Sequence, residues 1–227
     1  MLPTDEPMNQ SIIAIFDLDK TMLDTDSEGL WCKFLFSERI VDLSFVLKIL
    51  DYHKQYEACA LDVREYEEYL IQPMLRLSPD EQTALLAKFL TVVTPHIRAG
   101  MVRVKEEHEA QGHLPLLITS SNSFIVKPIA GLLKFEHVLC TEMEENGGRL
   151  TGHVSGEPPY QGGKIAAYEA WLEENDLSIR EGWFYSDSYN DLPLLDHVDH
   201  PVAVTPDEKL RKTAEERGWK ILNIKND

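Results

Sequence analysis

Ile12-Ile13-Ala14-Ile15-Phe16-Asp17-Leu18-Asp19-Lys20-Thr21 is the stretch from which the fold can be read. Its β-branched, apolar run over 11–16 stops abruptly at Asp17, which predicts a short buried strand. Two carboxylates, Asp17 and Asp19, follow two residues apart. In extended geometry both would point to one face. Taken alone, such a pair also fits an acidic turn that caps the next helix.

Outward from this point the pattern changes period. No strand is predicted over 27–94. Apolar residues recur there at helical spacing, as in Leu30/Phe34/Leu35, Phe45/Val46/Ile49, Tyr66/Tyr69/Leu70 and Leu85/Leu86/Phe89/Leu90. Ser78-Pro79-Asp80-Glu81 has the form of a helix start, with Ser78 as N-cap and Glu81 three residues on. Beyond 94, strands and helices alternate. Helices are predicted at 97–111, 123–133, 163–174, 190–196 and 206–217. Strands are predicted at 114–118, 137–140, 182–185, 201–204 and 219–224, with a small hairpin turning at Gly147-Gly148. Alternation of this kind implies an α/β fold, a doubly wound, Rossmann-like parallel sheet with helices on both faces. The helical block is then an insertion: 1–24 and 95–227 make the core, and 25–94 a helical cap. Ligands in such sheets bind beyond the carboxyl ends of the strands. Asp17, Asp19, Thr119 and Asp187 all fall there.

Composition narrows the function. The 227 residues carry a formal net charge of −17, with 43% hydrophobic and 27% charged residues. That balance argues against nucleic acid or an anionic membrane as partner. It would also repel an anionic substrate, so a phosphate site must generate its positive potential locally. Cys32, Cys59 and Cys140 are far apart, which disfavours a disulfide framework or a zinc knuckle. The polar, acidic N-terminus is unlike a signal peptide, and no apolar run approaches a membrane span. A cytoplasmic location follows as an expectation. The eight histidines suggest no metal site, since His108/His113 and His197/His200 lack evident partners. The Glu-rich stretches 65–68 and 142–145 read as solvated faces, and Arg98 and Arg103 as surface residues. Nothing in the sequence speaks to the oligomeric state.

Three later segments carry chemistry. Leu116-Leu-Ile-Thr119-Ser120-Ser121-Asn122 is an apolar strand ending in hydroxyls, with Ser121 or Asn122 also suited to cap the next helix. Lys164, in Gln161-Gly-Gly-Lys164, sits at a helix N-terminus, where the dipole disfavours a cation. An anionic partner would account for it, though a plain surface lysine is the alternative. Tyr185-Ser-Asp187-Ser-Tyr-Asn190-Asp191-Leu-Pro193 sets two more acids after a strand. It also fits an acidic loop capping a helix.

Taken together and in this order, the four segments resemble the motif set of the haloacid dehalogenase superfamily of phosphohydrolases, over residues 12–204. The resemblance implies that Asp17 attacks phosphorus and forms an aspartyl-phosphate. It implies that Asp19 first protonates the leaving alkoxide and then takes a proton from water. Thr119, Ser120 and Lys164 would bind the phosphate. Mg²⁺ would be held by Asp17, the backbone carbonyl of Asp19, and Asp187, with Asn190 and Asp191 in support. The inserted block of about 70 residues is similar to the cap of the subgroup containing phosphoserine phosphatases and bacterial histidinol-phosphatases. Two departures matter. Asp26 stands where phosphoserine enzymes carry a Glu. Their carboxylate-gripping cap arginine falls near Glu68, with Arg64 and Arg76 nearby. Asp26, Glu28 and Glu68 would suit an ammonium or imidazolium group, which makes histidinol phosphate the leading substrate. Phosphoserine and a broad set of small phosphorylated metabolites are the alternatives. A phosphotransferase or a non-catalytic phosphate-binding protein would share the same motifs.

Overall fold

The computed structural model describes residues 10–224, so the N-terminal reading above falls largely outside the described residues. Strand β1 (Gln10–Phe16) lies at the centre of the sheet. β2 (Leu114–Asn122) and β5 (Ser178–Ser186) flank it, both parallel to it. β3 (His137–Asn146) pairs parallel to β2, and β4 (Arg149–Ser155) closes that edge as an antiparallel hairpin partner. On the other side β6 (His200–Val204) and β7 (Lys220–Leu222) complete the order β4-β3-β2-β1-β5-β6-β7. The chain therefore winds outward from β1 in one direction and returns to wind in the other. The reversal falls beside β1, where such sheets open a crevice at their carboxyl ends.

β1 shows why the sheet needs helices on both faces. Ile13 and Ile15 join one buried cluster, with Leu116, Ile118 and Phe184. Ala14 and Phe16 join the other. The first cluster is covered by α7 (Gly162–Glu174), α8 (Leu192–His197) and α9 (Glu208–Arg217), through Tyr168, Trp171, Leu194, Leu195, Leu210 and Ala214. The second is covered by α5 (Ala99–Ala110) and α6 (Ser123–Leu132), through Met101, Ile125, Val126 and Ile129. A strand buried on both faces has no polar side to alternate with, hence the continuous run at 12–16.

Between β1 and β2 the chain forms α1 (Ser27–Ser37), α2 (Leu43–Glu57), α3 (Val63–Ile71) and α4 (Pro79–Val93). Asp26, Asp42, Asp62 and Ser78 each cap the N-terminus of one of these helices. At Ser78 the capping box is complete: its Oγ accepts from Glu81 N–H at 3.3 Å, and Glu81 Oε2 accepts from Ser78 N–H at 2.8 Å. Trp31, Phe34 and Phe89 pack together inside the block.

The chain enters and leaves this block through two segments bonded to each other. Asp24 N–H donates to His96 O at 2.8 Å, Arg98 N–H to Met22 O at 2.9 Å, and Leu23 bridges to Ile97. Arg98 is no surface residue. It is 8% exposed, and its guanidinium donates to Leu23 O, Thr205 Oγ1 and Ile224 O. An arginine at a helix start looks solvated in sequence; here three acceptors from distant segments offset its burial.

Some boundaries also differ. β2 extends to Asn122 because Asn122 pairs with Thr141, and β5 begins at Ser178 because its first residues pair with Gln10 and Ser11. β7 stops at Leu222. His108 and His113, read as unpartnered, lie with their Nδ1 atoms 2.7 Å apart, and His108 Nε2 is 2.8 Å from Tyr185 Oη. Among the described residues no helix is long and apolar enough to cross a membrane, and the three cysteines are free.

Candidate active site

β1 ends at Asp17, whose N–H is held by Tyr185 O at 3.0 Å, locking the ends of β1 and β5 together. The chain then turns: Lys20 takes φ 55°, and Leu23 N–H closes back onto Leu18 O at 3.0 Å. Leu18 is buried, while Asp17 and Asp19 face a cavity of about 550 Å³. Thr119 and Ser120 at the end of β2, and Asp187 at the end of β5, face the same space.

Asp17 is 7% exposed, and its Oδ1 accepts from Lys164 Nζ at 2.9 Å. Lys164, in the first turn of α7, also donates to Asp191 at 2.8 Å. Asp191 accepts in addition from Ser186 Oγ at 2.7 Å. One buried cation thus ties two buried carboxylates. Burial pushes Asp17 up to about 7, against the downward pull of Lys164. Burial works the opposite way on Lys164, but Asp17 and Asp191 outweigh it and hold the ammonium above its ordinary range.

Asp19 is placed differently. Its Oδ1 accepts from Ser27 N–H at 2.6 Å and its Oδ2 from Ser121 Oγ at 2.7 Å. Burial and then the charge of Asp26 raise its pKa. Two acids two residues apart therefore have distinct surroundings: Asp17 bears on a cation, Asp19 on neutral donors. Thr119 is 2% exposed, and its Oγ1 accepts from Ser121 N–H at 3.3 Å. Ser121 carries no role in the sequence reading beyond a possible helix cap. That cap is Asn122, and Ser121 orients Asp19 instead.

Asp187 N–H donates to Thr21 Oγ1 at 3.1 Å, and its carboxyl pKa is raised well above normal, by burial and then by Asp17. Among the described residues no hydrogen bond reaches its carboxylate. The donor set of Asp17, Asp187 and the Asp19 backbone carbonyl is all oxygen. A divalent cation would relieve the repulsion between the two acids. No group of three His, Cys, Asp or Glu side chains is gathered to hold a metal among the described residues. Two carboxylates and a carbonyl would be the kind of oxygen set Mg²⁺ takes, since it uses few carboxylates and keeps waters. Asn190 is occupied elsewhere: its Oδ1 accepts from Tyr160 Oη and Gln161 Nε2, and its Nδ2 donates to Tyr56 O at 3.2 Å.

The helical block forms the opposite wall. Asp26 is committed as the α1 cap, with its Oδ2 3.3 Å from His53 Nε2. Glu28 lines the cavity and is 4% exposed. Glu68 does not line it; it accepts from Val154 N–H at 3.1 Å on the β4 edge. Its neighbour Glu67, read as solvated with the rest of 65–68, is 1% exposed and lines the cavity. One residue along a helix is a turn of about 100°, so the two side chains face different surroundings. Arg64 is spent on Val154 O and Gly156 O, and neither Arg64 nor Arg76 lines the cavity. Tyr56 also lines it, and its hydroxyl lies 3.1 Å from Ser188 Oγ.

Comparison with known proteins identifies the family. The family model described as haloacid dehalogenase-like hydrolase matches residues 14–196. A protein of Neisseria meningitidis serogroup C named histidinol-phosphatase is 35% identical over 219 residues, 94% of this chain and 99% of its own. A Mycobacterium tuberculosis protein named phosphoserine phosphatase is 28% identical over 96% of this chain and 75% of its own length. The crystal structure of a Bordetella pertussis Tohama I protein of unknown function superposes with a TM-score of 0.87 at 33% identity, over 95% of this chain and all of that one, 100%. With its motif acids gathered at the carboxyl end of β1 and its family model matched over most of its length, the chain belongs to the haloacid dehalogenase-like hydrolase family, as one of its phosphatases.

Proposed function

We propose that the chain is a Mg²⁺-dependent phosphomonoester hydrolase that works through an aspartyl-phosphate on Asp17, with histidinol phosphate as its substrate. Lys164 holds one oxygen of Asp17, and the nucleophile attacks phosphorus with Thr119, Ser120 and Lys164 around the phosphoryl oxygens. Asp19, whose raised pKa favours its protonated form, gives its proton to the departing alkoxide oxygen. It then takes a proton from the water that cleaves the acyl-phosphate. When bound by Asp17, Asp187 and the Asp19 carbonyl, Mg²⁺ would supply positive charge to the phosphoryl group. Residues 25–94 act as the cap that covers this chemistry and meets the leaving group.

The substrate reading rests on one observation: the cap wall of the cavity carries Asp26, Glu28 and Glu67 and no arginine. A wall of that kind suits a cationic leaving group, and its histidine, His53, already lies 3.3 Å from Asp26. The name of the Neisseria relative points the same way. The test is phosphate release from histidinol phosphate, phosphoserine and sugar phosphates, with Mg²⁺ and with excess chelator. The highest kcat/KM is expected for histidinol phosphate, with activity lost in chelator. A higher value for phosphoserine would refute the substrate, and undiminished turnover in chelator would refute the metal.

A further inference from the structure

Glu28 and Glu67 reach the cavity from different helices, α1 and α3, and meet at one residue. Asn122 Nδ2 donates to Glu67 Oε2 at 2.8 Å and to Glu28 Oε1 at 3.0 Å, and Asn122 N–H adds a third bond to Glu28 Oε1 at 3.1 Å. Asn122 is itself fixed, since its Oδ1 caps α6 through Ile125 N–H. Burial raises both carboxyl pKa values, Glu28 to about 8. The titratable groups around the pair are Asp19, Asp26, Tyr66 and, behind Glu67, Cys140; none is a cation. No lysine or arginine bonds to either glutamate among the described residues.

Two adjacent buried acids without a counter-ion do little for stability; apolar packing of the same volume would serve as well. Their place on the wall of the catalytic cavity gives them another use. Asp17 and Lys164 fix the phosphoryl end of any ester, so its leaving group must extend over the remaining wall. Asn122 holds Glu28 Oε1 and Glu67 Oε2, the two carboxyls also hydrogen-bond each other, and Tyr66 bonds to Glu28, so a cation entering here would take the place of the shared proton and displace no counter-ion. An alkylammonium offers three donors and one positive charge.

We propose that Glu67, set against Glu28 by Asn122, binds a protonated primary amine on the leaving group and so selects amino-alcohol phosphates. The inference rests on the hydrolase reading above and deepens it. The test compares kcat/KM for histidinol phosphate with that for the same ester lacking the amine, 3-(imidazol-4-yl)propyl phosphate. Wild type should prefer the amine. In Glu67→Gln the ratio of the two should fall by at least about tenfold, the loss of one charge-assisted hydrogen bond. An unchanged ratio overturns the proposal even if both rates drop, because structural damage would lower both alike.

A measurement on wild type alone guards against a variant that does not fold. Histidinol should inhibit more strongly than the deaminated alcohol, and equal inhibition would overturn the role of Glu67. Phosphoethanolamine against ethyl phosphate separates the two readings. A preference for phosphoethanolamine in an enzyme inactive on histidinol phosphate would discard that substrate and still support the amine site. No preference in either pair would discard the amine site.

Discussion

At Lys164 one side chain serves two carboxylates, and its replacement tests stability and chemistry separately. The ammonium lies 2.9 Å from Asp17 and 2.8 Å from Asp191, and is 3% exposed. Lys164→Met would leave two buried acids with no counter-charge. Breaking a buried ion pair from one side costs about 3–5 kcal/mol, so urea unfolding should show a loss of that order along with loss of phosphatase activity. Adding Asp191→Asn should restore part of the stability and none of the activity, since one orphaned charge is removed while Asp17 still lacks its partner. Equal instability in the single and double variants would mean that the penalty does not come from the carboxylates. The residue scale is also where sequence reading reached its limit. Asp17, Asp19, Lys164 and Asp187 stand in short segments with their local context attached, and each could be named. Glu67 could not, because its burial depends on Asn122, which lies 55 residues away. An error of one position on α3 then sufficed to nominate Glu68, whose partner is on the sheet edge.

The elements that carry these residues are placed by close backbone contacts as well as by packing. α7 begins after Gln161, at φ 49°, and a Cβ on Gly163 would come within 2.5 Å of Pro158 O. The turn at 158–163 is tight: Tyr160 N–H donates to Pro158 O at 2.8 Å and Gly163 N–H to Tyr160 O at 2.8 Å. Gly163→Ala must therefore move either the Pro158 carbonyl or the first turn of α7, and Lys164 is the next residue. Overpacking of this kind costs about 1–3 kcal/mol. A fall in kcat beyond the loss of folded protein, measured by titrating active sites, is the expected result. An unimpaired kcat would show that the close approach does not position the lysine. The alternation of strand and helix was readable because buried strands and amphipathic helices have different periods. The hydroxyl end of β2 and the early start of β5 were not, because those residues are extended by pairing with distant strands, which local composition does not encode.

Across the whole molecule, the helical block and the sheet share one buried cluster and are tied by several polar contacts, whose arrangement decides whether the block can move. The two chain crossings bind each other through Asp24–His96 and Met22–Arg98, forming a single narrow stem. A second tie lies on the cavity side: Tyr56 Oη with Ser188 Oγ, Asn190 Nδ2 with Tyr56 O, and Gln161 Nε2 with Cys59 O. A third holds α3 to β4 through Arg64 and Glu68, and a fourth holds α1 and α3 to Asn122 through Glu28 and Glu67, with Ser27 N–H on Asp19. The cavity-side tie ends on the segments that bear Lys164, Asp187 and Asp191, so opening there would both widen the cavity and loosen those segments. If residues 25–94 open as a unit about the stem, native-state hydrogen exchange should show amides of α1 to α4 opening at a lower free energy than those of β1 and β5. Tyr56→Phe removes one bond across the gap, worth about 1 kcal/mol. It should lower the opening energy of the helical block by about that amount and leave β1 unchanged. If the variant instead shifts all amides equally, the block and the sheet unfold together, and access to Asp17 must come from a motion smaller than the cap.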